Sequence, residues 1–224
     1  MKDQIRLTVD SVVFGYQNAE LFILLIKRKY APYKNDWALP GGFVLYNESL
    51  EDAVYRELKE ETGIEVNYLE QLYTFGNLDR DPRGHVVSTS YFALVSPKSF
   101  TLNPTTDAVE AEWFSTKDLP KLAFDHEKII TLAMKRLQSK VIYEPLGFEL
   151  LNKKFPFSDL EKLYTTILGR SIDRRNFRKK FLSLNVLDEL KEKVSLGAGR
   201  PANLFKFNPE RYKKLKEEGI IFEI

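Results

Sequence analysis

The 224-residue chain has no cysteine and only two histidines and two methionines. Without cysteine there is neither a disulfide framework nor a thiolate-bound zinc, and His85 and His126 are not spaced as a ligand pair. Long apolar runs are missing as well. The longest candidate, Leu21 to Ile26, has the length of a buried strand and falls far short of a membrane span, so no membrane partner is expected. The opening MKDQIRLTVD has no apolar core of a secretory leader. Together with the missing cysteines this points to the cytoplasm. No Gly-x-x-x-x-Gly-Lys phosphate loop is present, no spacing suggests a Ser–His–Asp set, and no internal repeat or low-complexity tract is evident.

What is present is an ordinary globular composition, 43% hydrophobic and 29% charged. The net charge of +2 hides an asymmetry. Residues 145–224 carry 17 Lys and Arg against 11 Asp and Glu, a balance of +6, which leaves −4 for the rest. A basic tail on an acidic body implies two parts with different partners.

The patterning agrees. Over residues 1–144 strands alternate with helices. Ile5, Leu7 and Val9 alternate with polar residues, Leu21–Ile26 reads as a buried strand, and Gln17 to Glu20 suits the hairpin turn between them. Further strands are expected near Leu69–Phe75, Val86–Val95 and Glu110–Phe114. Helices are expected at 49–62 and 126–139, the second with Asp125 as its cap and Ile129, Ile130, Ala133 and Leu137 on one face. This is a mixed α/β (α+β) sandwich. After the linker Tyr143-Glu-Pro-Leu-Gly147 the pattern changes over residues 145–224. Ser158-Asp-Leu-Glu161 reads as a capping box opening a helix that Gly169 closes, and Asp173 caps a second helix bearing Phe177, Phe181 and Leu184. Leu187–Val194, the turn Gly197–Pro201 and Asn203–Phe207 read as a hairpin. The outline is a winged helix-turn-helix.

The most informative stretch is GGFVLYNESLEDAVYRELKEETGIEV, residues 41–66, with six acidic side chains between Glu48 and Glu61. Ser49 and Gly63 delimit a helix on which Leu50, Val54 and Leu58 face the core. Glu57, Glu60 and Glu61 share another face, where like charges repel unless a cation offsets them. Arg56 is within reach of Glu60 or Glu48, but one arginine does not neutralise the group. All-oxygen ligands of this kind suit Mg²⁺, or Mn²⁺.

Gly42, five residues, Glu48, seven residues, then Arg56-Glu57-Leu58-Lys59-Glu60-Glu61-Thr62-Gly63-Ile64 resembles the Nudix box at every specified position. Coincidence at average residue usage is rarer than about one in a million chains. The resemblance implies an α/β/α Nudix sandwich in which Glu57, Glu60 and Glu61 bind the metal and one of them helps to activate water. It further implies that Glu48 orients Arg56, that the Gly42 backbone lies close to the metal, and that the activity is hydrolysis of a nucleoside diphosphate linked to another moiety. Outside the box, Arg80 and Arg83 in DRDPRG are candidates to clamp phosphate or ribose. GNLDRDPRGHVVSTSYFAL and Phe124-Asp-His126 resemble Nudix domains that handle ADP-ribose.

In the second tail helix Arg175, Arg178 and Lys179 lie opposite Phe177 and Phe181, with Arg174 and Lys180 flanking, and Arg200 sits at the expected wing tip. A cationic helix placed second after a short turn is arranged as a recognition helix for double-stranded DNA, with Arg174, Arg175, Arg178, Lys179 and Arg200 as its contacts. A Nudix domain followed by a winged helix resembles the Nudix-related transcriptional regulators, which commonly act as dimers and respond to ADP-ribose-like compounds or sugars. Three readings follow. The first is a regulator whose Nudix domain binds a nucleoside-diphosphate compound such as ADP-ribose. The second is a Mg²⁺-dependent Nudix pyrophosphatase whose tail serves dimerisation. The third is a sugar sensor. Many such regulators have a degraded box, and this chain keeps all three glutamates.

Overall fold

The computed structural model describes residues 4–104, 108–195, 201–220 and 222–224. Its first strand, β1 (Arg6–Gln17), is buried continuously from Thr8 to Gly15 because it pairs on several sides at once. Along its length it meets β2 (Glu20–Arg28) and β4 (Gly41–Phe43) antiparallel and β6 (Val86–Val95) parallel. Asn18 and Ala19, both at positive φ, make the expected two-residue turn, so Gln17 pairs with Glu20. Ile5 and Leu7, which alternate with polar residues as Val9 does, stay 63% and 40% exposed. The helix-covered core begins only at Val9, beyond their reach.

The remaining strands are β3 (Trp37–Ala38), β5 (Leu69–Phe75) and β7 (Ala108–Ser115), and the sheet runs β3-β2-β1-β6-β5 with β4 on β1 and β7 on β2. Helix α1 (Leu50–Thr62) is delimited as its sequence requires. Ser49 and Asp52 form a reciprocal capping box, and Gly63 closes the helix in the left-handed region at φ 75°. Its apolar face, Val54 and Leu58 with Ala53, packs on Val9, Val13, Leu24 and Tyr91 of the sheet. Helix α2 (His126–Tyr143) buries Ile129, Ile130, Ala133 and Leu137 along one stripe.

The chain divides into two units, Met1–Lys135 and Arg136–Ile224, with the division inside α2. The second unit comprises β8 (Phe155–Pro156), α3 (Phe157–Leu168), α4 (Arg174–Ser183), β9 (Leu187–Val194), β10 (Ala202–Phe207) and α5 (Pro209–Glu218). Its sheet runs β8-β10-β9, all antiparallel, and the α3–α4 pair with the β9–β10 hairpin is a winged helix. The core is aromatic: Phe157, Tyr164, Phe177 and Phe181 meet ring to ring, and Phe157 also touches Phe205. That core overrides the expected capping box at Ser158. Phe157 is 3% exposed, so the helix starts there, with Pro156 as an N-cap that makes no side-chain bond. Asp173 caps α4 as expected, accepting from the amides of Arg175 and Asn176. Helix α5 was not foreseen.

Candidate functional site

In the first unit, the β4 strand, the face of α1, the 80–83 loop and the start of α2 surround a cavity of about 300 Å³. Its two ends differ in chemistry.

One end is acidic. Glu57 and Glu61 of α1 line it together with Gly41 and Gly42. Glu61 is 2% exposed, and its Oε2 accepts the Gly41 amide at 2.8 Å. Glu57 lies so close to Gly42 that a Cβ built there would fall 2.1 Å from its Oε1. Only glycine permits this approach. Arg56 organises the neighbours. Its Nη2 and Nε donate to both oxygens of Glu48 at 2.7 and 2.9 Å, Nη1 donates to Glu57 Oε1 at 2.7 Å, and Nη2 also reaches the Phe43 carbonyl. The pair with Arg56 pulls the Glu48 carboxyl down to about 2 and raises the Arg56 guanidinium in return. Glu60 stands outside the cavity lining, 3.5 Å from Arg56 with its side chain 42% exposed.

Among the described residues no group of three or more His, Asp or Glu side chains is arranged to hold a metal ion. The donor chemistry nevertheless suits a hard divalent cation, which keeps several waters and binds through one or two carboxylates plus substrate phosphate. Glu57 and Glu61 supply those two, and the bare Gly42 backbone is what lets Glu57 stand where it does.

Beneath the cavity floor lies a buried polar network. Asp10 interrupts the apolar β1, and its Oδ2 accepts from Ser88 Oγ at 2.5 Å and from Arg80 Nη2 at 3.3 Å. Arg80 also grips Asp125 through Nε and Nη2 at 3.2 and 2.8 Å. Burial opposes the Arg80 charge, yet the hydrogen bonds to Asp125 and the charge of Asp10 outweigh it and raise its pKa. Arg80 lines the cavity, but it arrives there bound to two carboxylates, not as the exposed loop residue its sequence context implies. The Asp125 carboxylate expected to cap α2 is taken by Arg80. His126 Nδ1 accepts the Leu39 amide at 2.9 Å, which places the proton of the neutral ring on Nε2, 3.5 Å from Asp10. Burial lowers the His126 pKa against the pull of Asp10 and Asp125. The ring thereby ties down the backbone at Leu39, two residues before β4 begins at Gly41.

The other end is cationic and aromatic. Arg83 is chelated by the buried Asp81, Nε to Oδ1 at 3.0 Å and Nη2 to Oδ2 at 2.6 Å, and this bond holds the Asp81 carboxyl low despite burial, which pushes the other way. The guanidinium lies over both Phe43 and Phe124, at 5.0 and 5.4 Å from their centroids. Arg28 covers Phe124 at 4.8 Å and Arg6 covers Phe43 at 5.2 Å. Sequence reasoning missed Asp10 and Phe43. A lone charge in the apolar run Val9-Asp10-Ser11-Val12-Val13 was the available signal for Asp10; Phe43 gave none.

In the second unit, α4 follows α3 after a short turn closed by Gly169 in the left-handed region. Phe177 and Phe181 face the core, leaving Arg174, Arg175, Arg178 and Lys179 exposed. They differ in freedom. Arg178 folds back so that its guanidinium lies 4.5 Å from the Phe157 ring and 5.5 Å from Phe205, and Arg174 comes within 3.8 Å of Glu161. Arg200 and most of the expected wing-tip turn lie outside the described residues.

Two family models match the chain: the NUDIX domain over residues 4–133 and the NrtR DNA-binding winged helix domain over 147–207. An ADPR responsive transcriptional repressor, NtrR, of Acinetobacter baylyi is 36% identical over 210 residues, 92% of this chain and 83% of the relative. An ADP-ribose pyrophosphatase of Methanocaldococcus jannaschii is 52% identical over 108 residues, 48% of this chain and 63% of the relative. Among solved structures, NrtR of Shewanella oneidensis complexed with a 27mer DNA superposes with a TM-score of 0.80 at 34% identity, covering 92% of this chain and 95% of the other.

Proposed function

The chain belongs to the Nudix family and carries an NrtR-type winged-helix domain, and from this premise we propose that it is a DNA-binding transcriptional repressor controlled by ADP-ribose or a close nucleoside-diphosphate relative. The observation that carries the ligand assignment is the two-ended cavity. A diphosphate needs positive charge and, for a divalent cation to help, carboxylates in the same site; Arg83 and Arg28 line the cavity together with Glu57 and Glu61. The relative from Acinetobacter baylyi responds to ADPR, and the archaeal relative hydrolyses ADP-ribose, so two proteins similar to this one handle the same compound.

Each residue then has a task. Glu57 and Glu61, with Glu60 at the rim, hold Mg²⁺ or Mn²⁺. Glu48 anchors Arg56, and Arg56 in turn fixes Glu57. Gly42, the expected ligand contact of the backbone, gives the Glu57 carboxylate its place beside the site. Arg83 engages the diphosphate, whereas Arg80 shapes the floor from within its carboxylate pair. A bound cation supplies charge neutralisation of the diphosphate and a water of lowered pKa. In the second unit Arg175 and Lys179 are the principal DNA contacts of α4, with Arg174 and Arg178 beside them and Arg200 as a further contact. Regulation requires the ligand to bind better to the state that releases DNA than to the state that holds it. We further assign the protein to the cytoplasm as a homodimer, with residues 1–144 as sensor and 145–224 as DNA-binding domain. No described helix is long and apolar enough to cross a membrane.

A second reading has its own observation. The Nudix box is complete, and the archaeal relative at 52% identity is a pyrophosphatase, so slow hydrolysis of the effector accompanies binding in that reading. Calorimetric titration with ADP-ribose, with and without Mg²⁺, followed by product analysis, separates the two. Saturable binding without turnover makes the unit a sensor; turnover lost in Glu57→Gln makes it an enzyme as well. No binding at all refutes the ligand assignment.

A further inference from the structure

The matched winged-helix domain ends at residue 207, and the chain continues through α5 to Ile224. Helix α5 buries none of its own side chains, so packing into the core does not explain it. Its polar contacts fall just past the ends of two other helices. Arg211 donates to the carbonyl and side-chain oxygens of Asn185 at 3.1 and 3.0 Å, two residues beyond α4, and to Asp188 of β9 at 2.5 Å. Tyr212 donates to Glu144 Oε1 at 2.8 Å, and Lys216 lies 2.6 Å from the same oxygen, one residue beyond α2. Lys140 of α2 holds the second oxygen of that buried carboxylate at 2.6 Å. Residues 222–224 repeat the pattern. The Phe222 ring, 5% exposed, stands edge-on to Phe181 of α4 at 5.0 Å. Lys180 of α4 donates to the Glu223 carbonyl, and the Ile224 amide donates to the Ile142 carbonyl of α2 at 3.2 Å.

Resting on the DNA-binding reading, we infer that α5 and residues 222–224 form a strap that ties the recognition helix α4 to the end of α2, with Arg211 and Phe222 as its positioning residues. Neither is a DNA contact. Phe222 is buried against the inner face of α4, and the Arg211 guanidinium is occupied by Asn185 and Asp188. Together they hold α4 at its middle and just past its end, which sets the tilt at which its outer face is presented. Base edges are read by short directional hydrogen bonds, whereas the attraction of cations to phosphate is sequence-independent and tolerates a change of tilt. Loosening the strap therefore weakens sequence recognition and leaves the electrostatic part of binding in place.

The test measures binding of the full chain to a labelled duplex from the DNA upstream of the gene and to a scrambled duplex of equal length. Wild type, Phe222→Ala, Phe222→Leu and Arg211→Met are compared, with thermal midpoints checking that each is folded at the assay temperature. Phe222→Ala and Arg211→Met should bind the upstream duplex roughly 5- to 100-fold more weakly, the effect of about one mismatched base pair. Both should keep near wild-type affinity for the scrambled duplex and the wild-type salt slope, because no phosphate contact is lost. Phe222→Leu, which still fills the space beside Phe181, should recover most of the loss. Unchanged discrimination in Arg211→Met would overturn the strap and leave the DNA-binding reading standing, even if Phe222→Ala failed to fold. Equal losses on both duplexes, or a slope lowered by about 1 in Arg211→Met, would also overturn it, as general disruption or as a direct phosphate contact. Wild type that binds both duplexes alike would overturn the DNA-recognition reading and the strap with it.

Discussion

Two adjacent glycines, Gly41 and Gly42, make the same substitution to alanine test two different things. At Gly42 the added Cβ would stand 2.1 Å from Glu57 Oε1, the far end of a flexible side chain. Ordinary contact begins near ~3.5 Å, so the carboxylate must retreat by roughly 1.4 Å. That breaks its 2.7 Å bond to Arg56, which keeps Glu48 and the Phe43 carbonyl, so Gly42→Ala should cost only about 1 kcal/mol. Metal affinity should fall much further, by about 10- to 100-fold, because a ligand has been moved. At Gly41 the Cβ would meet the Val9 carbonyl oxygen at 2.1 Å, inside the β1–β4 pairing where neither strand can swing away. It would also disturb the bond from the Gly41 amide to buried Glu61. Gly41→Ala should therefore cost about 3 kcal/mol or more. Urea unfolding gives the stabilities and calorimetric titration with Mn²⁺ gives the affinities. Equal destabilisation in both variants, or unimpaired Mn²⁺ binding in Gly42→Ala, would refute the placement of Glu57 against a bare backbone.

Three further outcomes follow from the same structure. His126 is buried with its pKa lowered, so the unfolded chain takes up a proton that the folded one resists. Stability should be complete above pH ~6.5 and fall as the pH drops below it; His126→Asn, whose Oδ1 replaces the Nδ1 acceptor, should flatten that slope in urea unfolding at pH 8 and pH 5. Replacing Arg80 with Met leaves Asp10 and Asp125 buried without their counterion, for a loss of about 3–5 kcal/mol in urea; a loss under about 1 kcal/mol would mean that the network is not closed. Arg175→Ala should leave the thermal midpoint unchanged and reduce the slope of log affinity for DNA against log salt by about 1, whereas an unchanged slope would remove Arg175 from the phosphate contacts.

Legibility in the sequence followed locality. The α1 cap, its glycine stop, the Asn18-Ala19 turn and the Asp173 cap depend on residues a few positions apart, and each formed where its chemistry indicated. Ser158 failed because a long-range demand, burial of Phe157 among three aromatic rings, outranked a local hydrogen bond. Helix α5 was silent for a different reason. It buries no side chain, so it has no apolar stripe to read, although Asn208, Pro209 and Gly219 punctuate it correctly. In the cavity, the glutamates were visible because their spacing on one helix is a local property. The floor was not: Arg80 lies 70 residues from Asp10 and 45 from Asp125, and only the fold brings them together.

The central claim is that a ligand in the Nudix cavity governs the grip of the winged helix on DNA. Fluorescence anisotropy of a labelled duplex from the DNA upstream of the gene, titrated with the protein at fixed salt in the presence and absence of saturating ADP-ribose, measures that coupling directly. The account predicts tight binding without the nucleotide and at least a fivefold weakening with it, the lower end of ordinary coupling energies. Identical isotherms, from a protein that calorimetry shows to bind ADP-ribose, would contradict it.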